Sequence, residues 1–184
     1  MLERFLRRIR GKAADASAAP VLIVALGDSV TQGVMEVDII DHEHVYHNVL
    51  KQMLESRYPQ ATFSVINAGV NGVNAAGALA RLERDVLRHQ PDLVLVAFCL
   101  NDSAAGRAAL PKYRANIETI VKEVRAKTPS DVILLPPNFM ASRDNPKIAE
   151  RHGQFASLIF ERQNDGTLKA FVEALRDVAR ALCP

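Results

Sequence analysis

The sequence predicts a three-layer α/β domain on a mostly parallel sheet, and three observations carry that prediction. Apolar runs suited to buried strands recur at Val21–Leu26, Thr62–Ile66 and Leu93–Phe98. Between them apolar residues fall at helical spacing: Tyr46, Val49, Leu50, Met53 and Leu54 in the first interval, Leu79, Leu82 and Val86 in the second. Each run closes on polar or turn-forming residues. Strand, helix, strand, helix, strand is the pattern of right-handed parallel crossovers. It brings the ends of the three runs together at the carboxyl edge of one sheet, where function in such folds collects.

In chain order, residues 1–19 form a basic amphipathic segment and linker, and residues 20–184 the domain proper. Arg4, Arg7, Arg8, Arg10 and Lys12 alternate with Leu2, Phe5, Leu6 and Ile9 at helical spacing. Such a helix would pack on the domain or pair with a second copy, and less readily touch a membrane surface, because one short basic helix binds lipid weakly. Val21–Leu26 is too short for a secretory core and leads straight into Gly27-Asp28-Ser29-Val30-Thr31-Gln32-Gly33. The second run leads into Asn67-Ala68-Gly69-Val70-Asn71-Gly72, and the third into Cys99-Leu100-Asn101-Asp102. Pro111 opens a helix with Tyr113, Ile117, Ile120, Val121 and Val124 inward, and Thr128-Pro129 closes it. Val132–Leu135 reads as the fourth strand. From Asn138 to Gly166 no strand character is evident, and this segment, with Phe139, Met140, Phe155, Ile159 and Phe160, is expected as helix and loop beside the active edge. Leu168, Phe171, Val172, Leu175, Val178 and Leu182 mark a last helix before Cys183-Pro184.

A serine hydroxyl becomes a nucleophile when a base takes its proton, and attack on an ester carbonyl makes an oxyanion that needs aimed hydrogen-bond donors. Ser29, with loops carrying Gly69 and Asn101 as neighbours, offers both a nucleophile and donors. Singly each has a plain reading: Ser29, Asn71 and Asn74 as helix caps, Asn101-Asp102 as a turn. Jointly, in order and at strand ends, they read as a site, with Asp28 and Asp102 assigned to loop hydrogen bonding. The combination resembles the GDSL or SGNH hydrolases, through GDSVTQG, NAGVNG and CLND in that order, and through RLERDVL at Arg81–Leu87, which looks like a bacterial subgroup of that family. The resemblance implies a flavodoxin-like strand order, ester hydrolysis through a Ser29 acyl-enzyme, and an oxyanion hole of the Ser29 N–H, the Gly69 N–H and the Asn101 side-chain amide. It implies small acyl esters or O-acetylated carbohydrate as substrates and no cofactor. The alternative is a catalytically impaired or truncated domain that binds or scaffolds.

The family's closing Asp-x-x-His block, which supplies the base and the group that orients it, has no counterpart before Pro184, and the last strand is expected to be missing with it. A chain without that block would turn over weakly, and Ser29→Ala would then change little. Strong Ser29-dependent hydrolysis would direct attention to His44 or His152. Asp41-His42-Glu43-His44 is a formal Asp-x-x-His, but it follows the nucleophile loop and precedes a helix, so Asp41 reads first as a cap. His42, His44 and His47 with Asp38 and Asp41 match no metal-ligand spacing. His89 and His152 read as surface residues. Cys99 stands where the family's third block has Gly, and is expected to fill the end of a buried strand as an inert thiol.

Composition fits this picture. The chain has 184 residues, a net charge of +2, no Trp and 5% aromatic residues, which points away from nucleic acid and from stacking platforms. Neither the Walker nor the dinucleotide glycine spacing is present. No disulfide partner is evident for either cysteine, and cytoplasm is the expected location. Without a fifth strand, Val132–Leu135 would be an open edge, and a homodimer or poor solubility follows unless the final helix covers it.

Overall fold

The computed structural model describes residues 2–36, 39–138, 153 and 157–183. Phe139, Met140, His152 and Phe155, singled out above, lie outside them. A parallel four-stranded sheet runs in the order β4 (Phe63–Gly69), β1 (Val21–Gly27), β5 (Leu93–Ala97), β6 (Asp131–Leu134). Registers are continuous, from Val21 opposite Phe63 to Gly27 opposite Gly69, and from Ile23 opposite Leu93 to Gly27 opposite Ala97. This is the strand order implied by the family resemblance.

Both faces of the sheet are covered at its centre, so β1 and β5 are apolar throughout rather than alternating. On one face Val24, Leu26, Val94 and Val96 pack against Phe98, Tyr113, Ile117 and Phe171. The helices there include α4 (Ala75–Leu79), α5 (Leu82–Asp85), α6 (Leu100–Ala104), α7 (Leu110–Lys127) and, after helical residues 157–164 (α8), α9 (Thr167–Leu182). On the other face Val21, Ile23, Ala25, Leu93 and Leu95 meet Phe5 and Ile9 of α1 (Glu3–Ala14) and Tyr46, Leu50 and Leu54 of α3 (Tyr46–Arg57). The layers are helix, sheet, helix.

The basic N-terminal segment belongs to this core. Phe5 and Ile9 are buried, the Phe5 N–H donates to Asp131 Oδ2 at 2.8 Å, and Arg8 Nε donates to Asp92 Oδ1 at 3.0 Å. Asp92 Oδ2 in turn accepts the Leu22 N–H at 3.0 Å, so a buried carboxylate ties α1 to the start of β1. Of the partners the sequence offered to the apolar face, the domain itself takes Phe5 and Ile9, while Leu6 stays 39% exposed. The segment's partners Asp92 and Asp131 are remote in sequence, which is why it reads there as a separate unit.

One further feature was not foreseen. A short antiparallel hairpin, β2 (Val34–Glu36) with β3 (Ile39–Ile40), follows the nucleophile loop and leaves Met35 and Ile39 exposed. Three and two residues are too short to give a periodic signal. At the far edge β6 pairs with β5, and among the described residues no strand covers its other side. Leu2 just before α1, Ala179 near the end of α9 and Cys183 just after it flank that edge, leaving a groove of about 380 Å³. The final helix therefore borders the edge instead of closing it.

Candidate active site

β1 is buried to its last residue, then the chain turns at once into α2 (Ser29–Gln32). That turn is tight because nothing stands between the two. A Cβ on Gly27 would lie 1.9 Å from Thr31 Oγ1, and one on Gly69 would lie 2.1 Å from the Gln32 backbone nitrogen. Glycine at both positions lets α2 sit directly on the ends of β1 and β4. Asp28 Oδ1 accepts the Val30 N–H at 3.0 Å, capping α2, and Gly33 ends it with φ 97°. Ser29, the first residue of α2, is half-buried at the carboxyl edge.

Thr31 anchors this helix from behind. It is wholly buried, its Oγ1 lies 3.1 Å from Tyr46 Oη, and its carbonyl lies 3.0 Å from His47 Nε2. A carbonyl only accepts, so His47 carries its proton on Nε2. Burial lowers the His47 pKa, and its Nδ1 has no partner among the described residues. His47 is thus a neutral buttress for α2.

The loops after β4 and β5 are stitched to α2 and to each other. The Val70 N–H donates to the Gly27 carbonyl at 3.1 Å, and the Asn71 N–H to Gln32 Oε1 at 2.8 Å. Asn101 Nδ2 donates to the Val73 carbonyl at 3.0 Å, which leaves its second amide proton uncommitted among the described residues. Asp102 accepts the Ala75 N–H at 3.1 Å, holding the start of α4 against α6. Asn74 caps α4 through the Gly77 N–H at 3.0 Å. Asp28 and Asp102 thus do bond the loops, and burial pushes both carboxyls up, Asp102 to about 6.

Gly69 and Gly72 differ in a way sequence alone does not reveal. The Gly69 N–H already donates to Asn67 Oδ1 at 2.9 Å. Gly72 has φ 75° with open space around its Cα. It lies between Asn71, bonded to Gln32 of α2, and Val73, bonded to Asn101. Cys99 departs less from the family pattern than its side chain suggests. Its φ of 177° is extended backbone open to any residue, and burial pushes its thiol up to about 12.

The imidazoles are arranged differently. Asp41 Oδ1 accepts the Glu43 and His44 N–H groups at 2.9 and 2.8 Å, and Asp41 Oδ2 lies 2.9 Å from His44 Nδ1. An Asp–His pair is therefore formed, on a turn whose His44 side chain is 74% exposed. The Asp41 N–H donates to the Gly33 carbonyl at 2.8 Å, which places this turn at the far end of α2. No described residue hydrogen-bonds the Ser29 hydroxyl. His89 Nε2 bonds the Arg84 carbonyl at 3.1 Å, and His152 lies outside the described residues.

A cavity of about 340 Å³ opens beside Ser29, lined by Asp28 and Val30 on either side of it and by Tyr46, Phe98, Leu100 and Leu135. Val30 is 42% exposed into this region of the edge. No helix among the described residues is long and apolar enough to cross a membrane.

Known proteins give the same picture at the level of family. The chain is 24% identical over 138 residues to an acetylxylan esterase of Geobacillus stearothermophilus, a match covering 67% of this chain and 63% of that protein. It is 24% identical over 165 residues to esterase TesA of Pseudomonas aeruginosa, covering 88% of this chain and 76% of that one. The solved lipase/acylhydrolase of Enterococcus faecalis superposes with a TM-score of 0.61 at 26% identity, over 87% of this chain and 71% of its own. This chain thus spans less than two thirds of the acetylxylan esterase. The model of the GDSL-like lipase/acylhydrolase family matches residues 25–183, from the end of β1 through α9, and the chain belongs to that family.

Proposed function

We propose that the chain hydrolyses carboxylic esters at Ser29. The observation that carries this reading is the hydrogen-bonded meeting of three loops at one sheet edge: Ser29 on α2, Asn71 bonded to Gln32 of α2, and Asn101 bonded to Val73. Ser29 Oγ attacks the ester carbonyl carbon as its proton passes to a base, and the carbonyl π pair becomes an oxyanion. Collapse of that intermediate expels the alcohol, which takes up the proton, and leaves the acyl group on Ser29 for water to remove. The Ser29 N–H and the free amide proton of Asn101 are the first donors to the oxyanion. Gly69 serves as a third if its N–H leaves Asn67; the Gly72 N–H needs no such release.

Small acyl esters are the substrates we assign, with O-acetylated carbohydrate as the second class. The acetylxylan esterase among the relatives favours an acetyl group, and the mainly apolar cavity beside Val30 favours an acyl or aryl group over a bare sugar. Asp41–His44 is the imidazole–carboxylate pair among the described residues, yet no described contact joins it to Ser29. A binding or scaffolding role is the second reading, and it rests on that gap. Two free cysteines fit a cytoplasmic setting, and the open edge of β6 fits a homodimer.

Hydrolysis of p-nitrophenyl acetate by the chain and by Ser29→Ala tests the proposal. A chain without a base would lose little on Ser29→Ala, so the proposal requires one, and on it we expect Ser29→Ala to lower kcat at least about 100-fold. Equal rates in the two proteins overturn it in favour of the binding module.

A further inference from the structure

Arg81 lies in the RLERDVL stretch, and its fork reaches the site from below. Its Nη1 donates to the Ala68 carbonyl at 2.8 Å, and its Nη2 to the Gly27 carbonyl at 3.0 Å. These carbonyls belong to adjacent strands at the last rungs of the β4–β1 ladder, where Leu26 faces Ala68 and Gly27 faces Gly69. The guanidinium is 11% exposed, and Asp85, one helical turn on, accepts from Nη1 at 2.6 Å. Its Nε is buried with no partner among the described residues. A buried cation is held here for what it grips, since replacing such a pair by apolar groups is often neutral or stabilising.

What it grips is the pair of peptide planes next to the reacting groups. The Ala68 carbonyl and the Gly69 N–H are the two ends of one peptide unit, the first fixed by Arg81 and the second by Asn67 Oδ1 at 2.9 Å. The Gly27 carbonyl, two residues before Ser29, is fixed by Arg81 and by the Val70 N–H at 3.1 Å. A plane held at one end alone can rotate about its flanking bonds. Glycine at 27 and 69 makes that rotation easy, because no Cβ resists it.

We propose that Arg81 is a positioning residue that locks the peptide planes flanking Ser29 and Gly69, so that the nucleophile and the oxyanion donors hold one geometry. A planar fork is needed to reach two carbonyls at once, and a lysine ammonium, a single nitrogen on a flexible stem, does not replace it. The catalytic part of this proposal rests on ester hydrolysis at Ser29; the conformational part does not.

Arg81→Lys and Arg81→Gln test it, with Arg84→Gln as control, since the 65% exposed Arg84 side chain bonds, among the described residues, only Asp85. Amide hydrogen exchange is read first. The expected result is exchange at Gly69–Val73 and Asp28–Gln32 at least about tenfold faster in both Arg81 variants, with Val94 and Val96 unchanged. Hydrolysis of p-nitrophenyl acetate is read second, far below the melting temperature. The expected result is a kcat lower by roughly 10- to 100-fold with KM within about twofold, as for a misplaced reacting group. Guanidinium ion added to an Arg81→Gly protein is expected to restore part of kcat. Exchange at the two loops unchanged, or a loss of protection spread evenly over the core, overturns the proposal. Loop-specific exchange with no Ser29-dependent hydrolysis in the parent chain sustains the locking and refutes the esterase reading instead.

Discussion

Ser29 and His44 flank the same short helix and are held in opposite ways. Ser29 follows a buried strand end whose last carbonyl accepts from both Val70 and Arg81, on a helix pinned through a wholly buried Thr31. His44 stands on a turn, 74% exposed, fixed by Asp41 alone. The difference follows from what each group must do. Donors aimed at a developing oxyanion work because they are already in place and need not reorganise. A proton acceptor has to meet the hydroxyl, and nothing described brings His44 to it. The loops that carry the proposed oxyanion donors are bonded to one another; the proposed proton-transfer side is not joined to them by any described contact.

Asn101 gives the largest test of that contrast after Ser29 itself. Asn101→Ala removes a side-chain donor while leaving the backbone path through Cys99 and Leu100 in place. Its kcat for p-nitrophenyl acetate is expected to fall by about 2.7 to 4 kcal/mol in transition-state energy, with KM little changed. A loss confined to KM would mean that Asn101 binds substrate without stabilising the oxyanion.

Asp102 sharpens the comparison from below the site. Burial pushes its carboxyl up to about 6 from an ordinary 3.8. The folded state therefore favours the protonated acid. That contribution is complete below about pH 4 and is lost as pH rises through about 6, on the order of 3 kcal/mol. Asp102→Asn keeps an oxygen for the Ala75 N–H and removes the titration. Urea unfolding at pH 4 and pH 7.5 is expected to show a smaller pH dependence in the variant. Asp28, raised by burial with the same sign, remains in both proteins and cancels in the difference. An equal slope would place the Asp102 carboxyl in a more hydrated setting.

His44→Ala is expected to have the smallest effect. Its kcat should fall less than about threefold, against the roughly 10²- to 10⁴-fold that loss of a general base costs. A drop in the larger range would assign His44 as the base and join the two halves of the site.

How much of this was legible in the sequence differs by element. Val21–Leu26 and Leu93–Phe98 announce themselves because strands buried on both faces are apolar throughout, and Pro111 and Thr128 mark the ends of α7. The three site blocks were legible as motifs on those strands. Which glycine has an N–H without a partner among the described residues was not, because it depends on Asn67 folding back onto Gly69 and on the left-handed turn at Gly72. Arg81 was visible as part of a motif, but its partners are main-chain carbonyls, which carry no residue identity. The docking of α1 hangs on Asp92 and Asp131, whose contacts with it span 84 and 126 residues.

Ser29 is proposed as the nucleophile, with Asn101 as a donor to the oxyanion. Intact-mass measurement after incubation with a fluorophosphonate, which forms a tetrahedral adduct on an activated serine, tests it most directly. We expect one adduct per chain, mapped to Ser29, absent from Ser29→Ala and slowed in Asn101→Ala. An adduct on another residue, or one that survives Ser29→Ala, would contradict it.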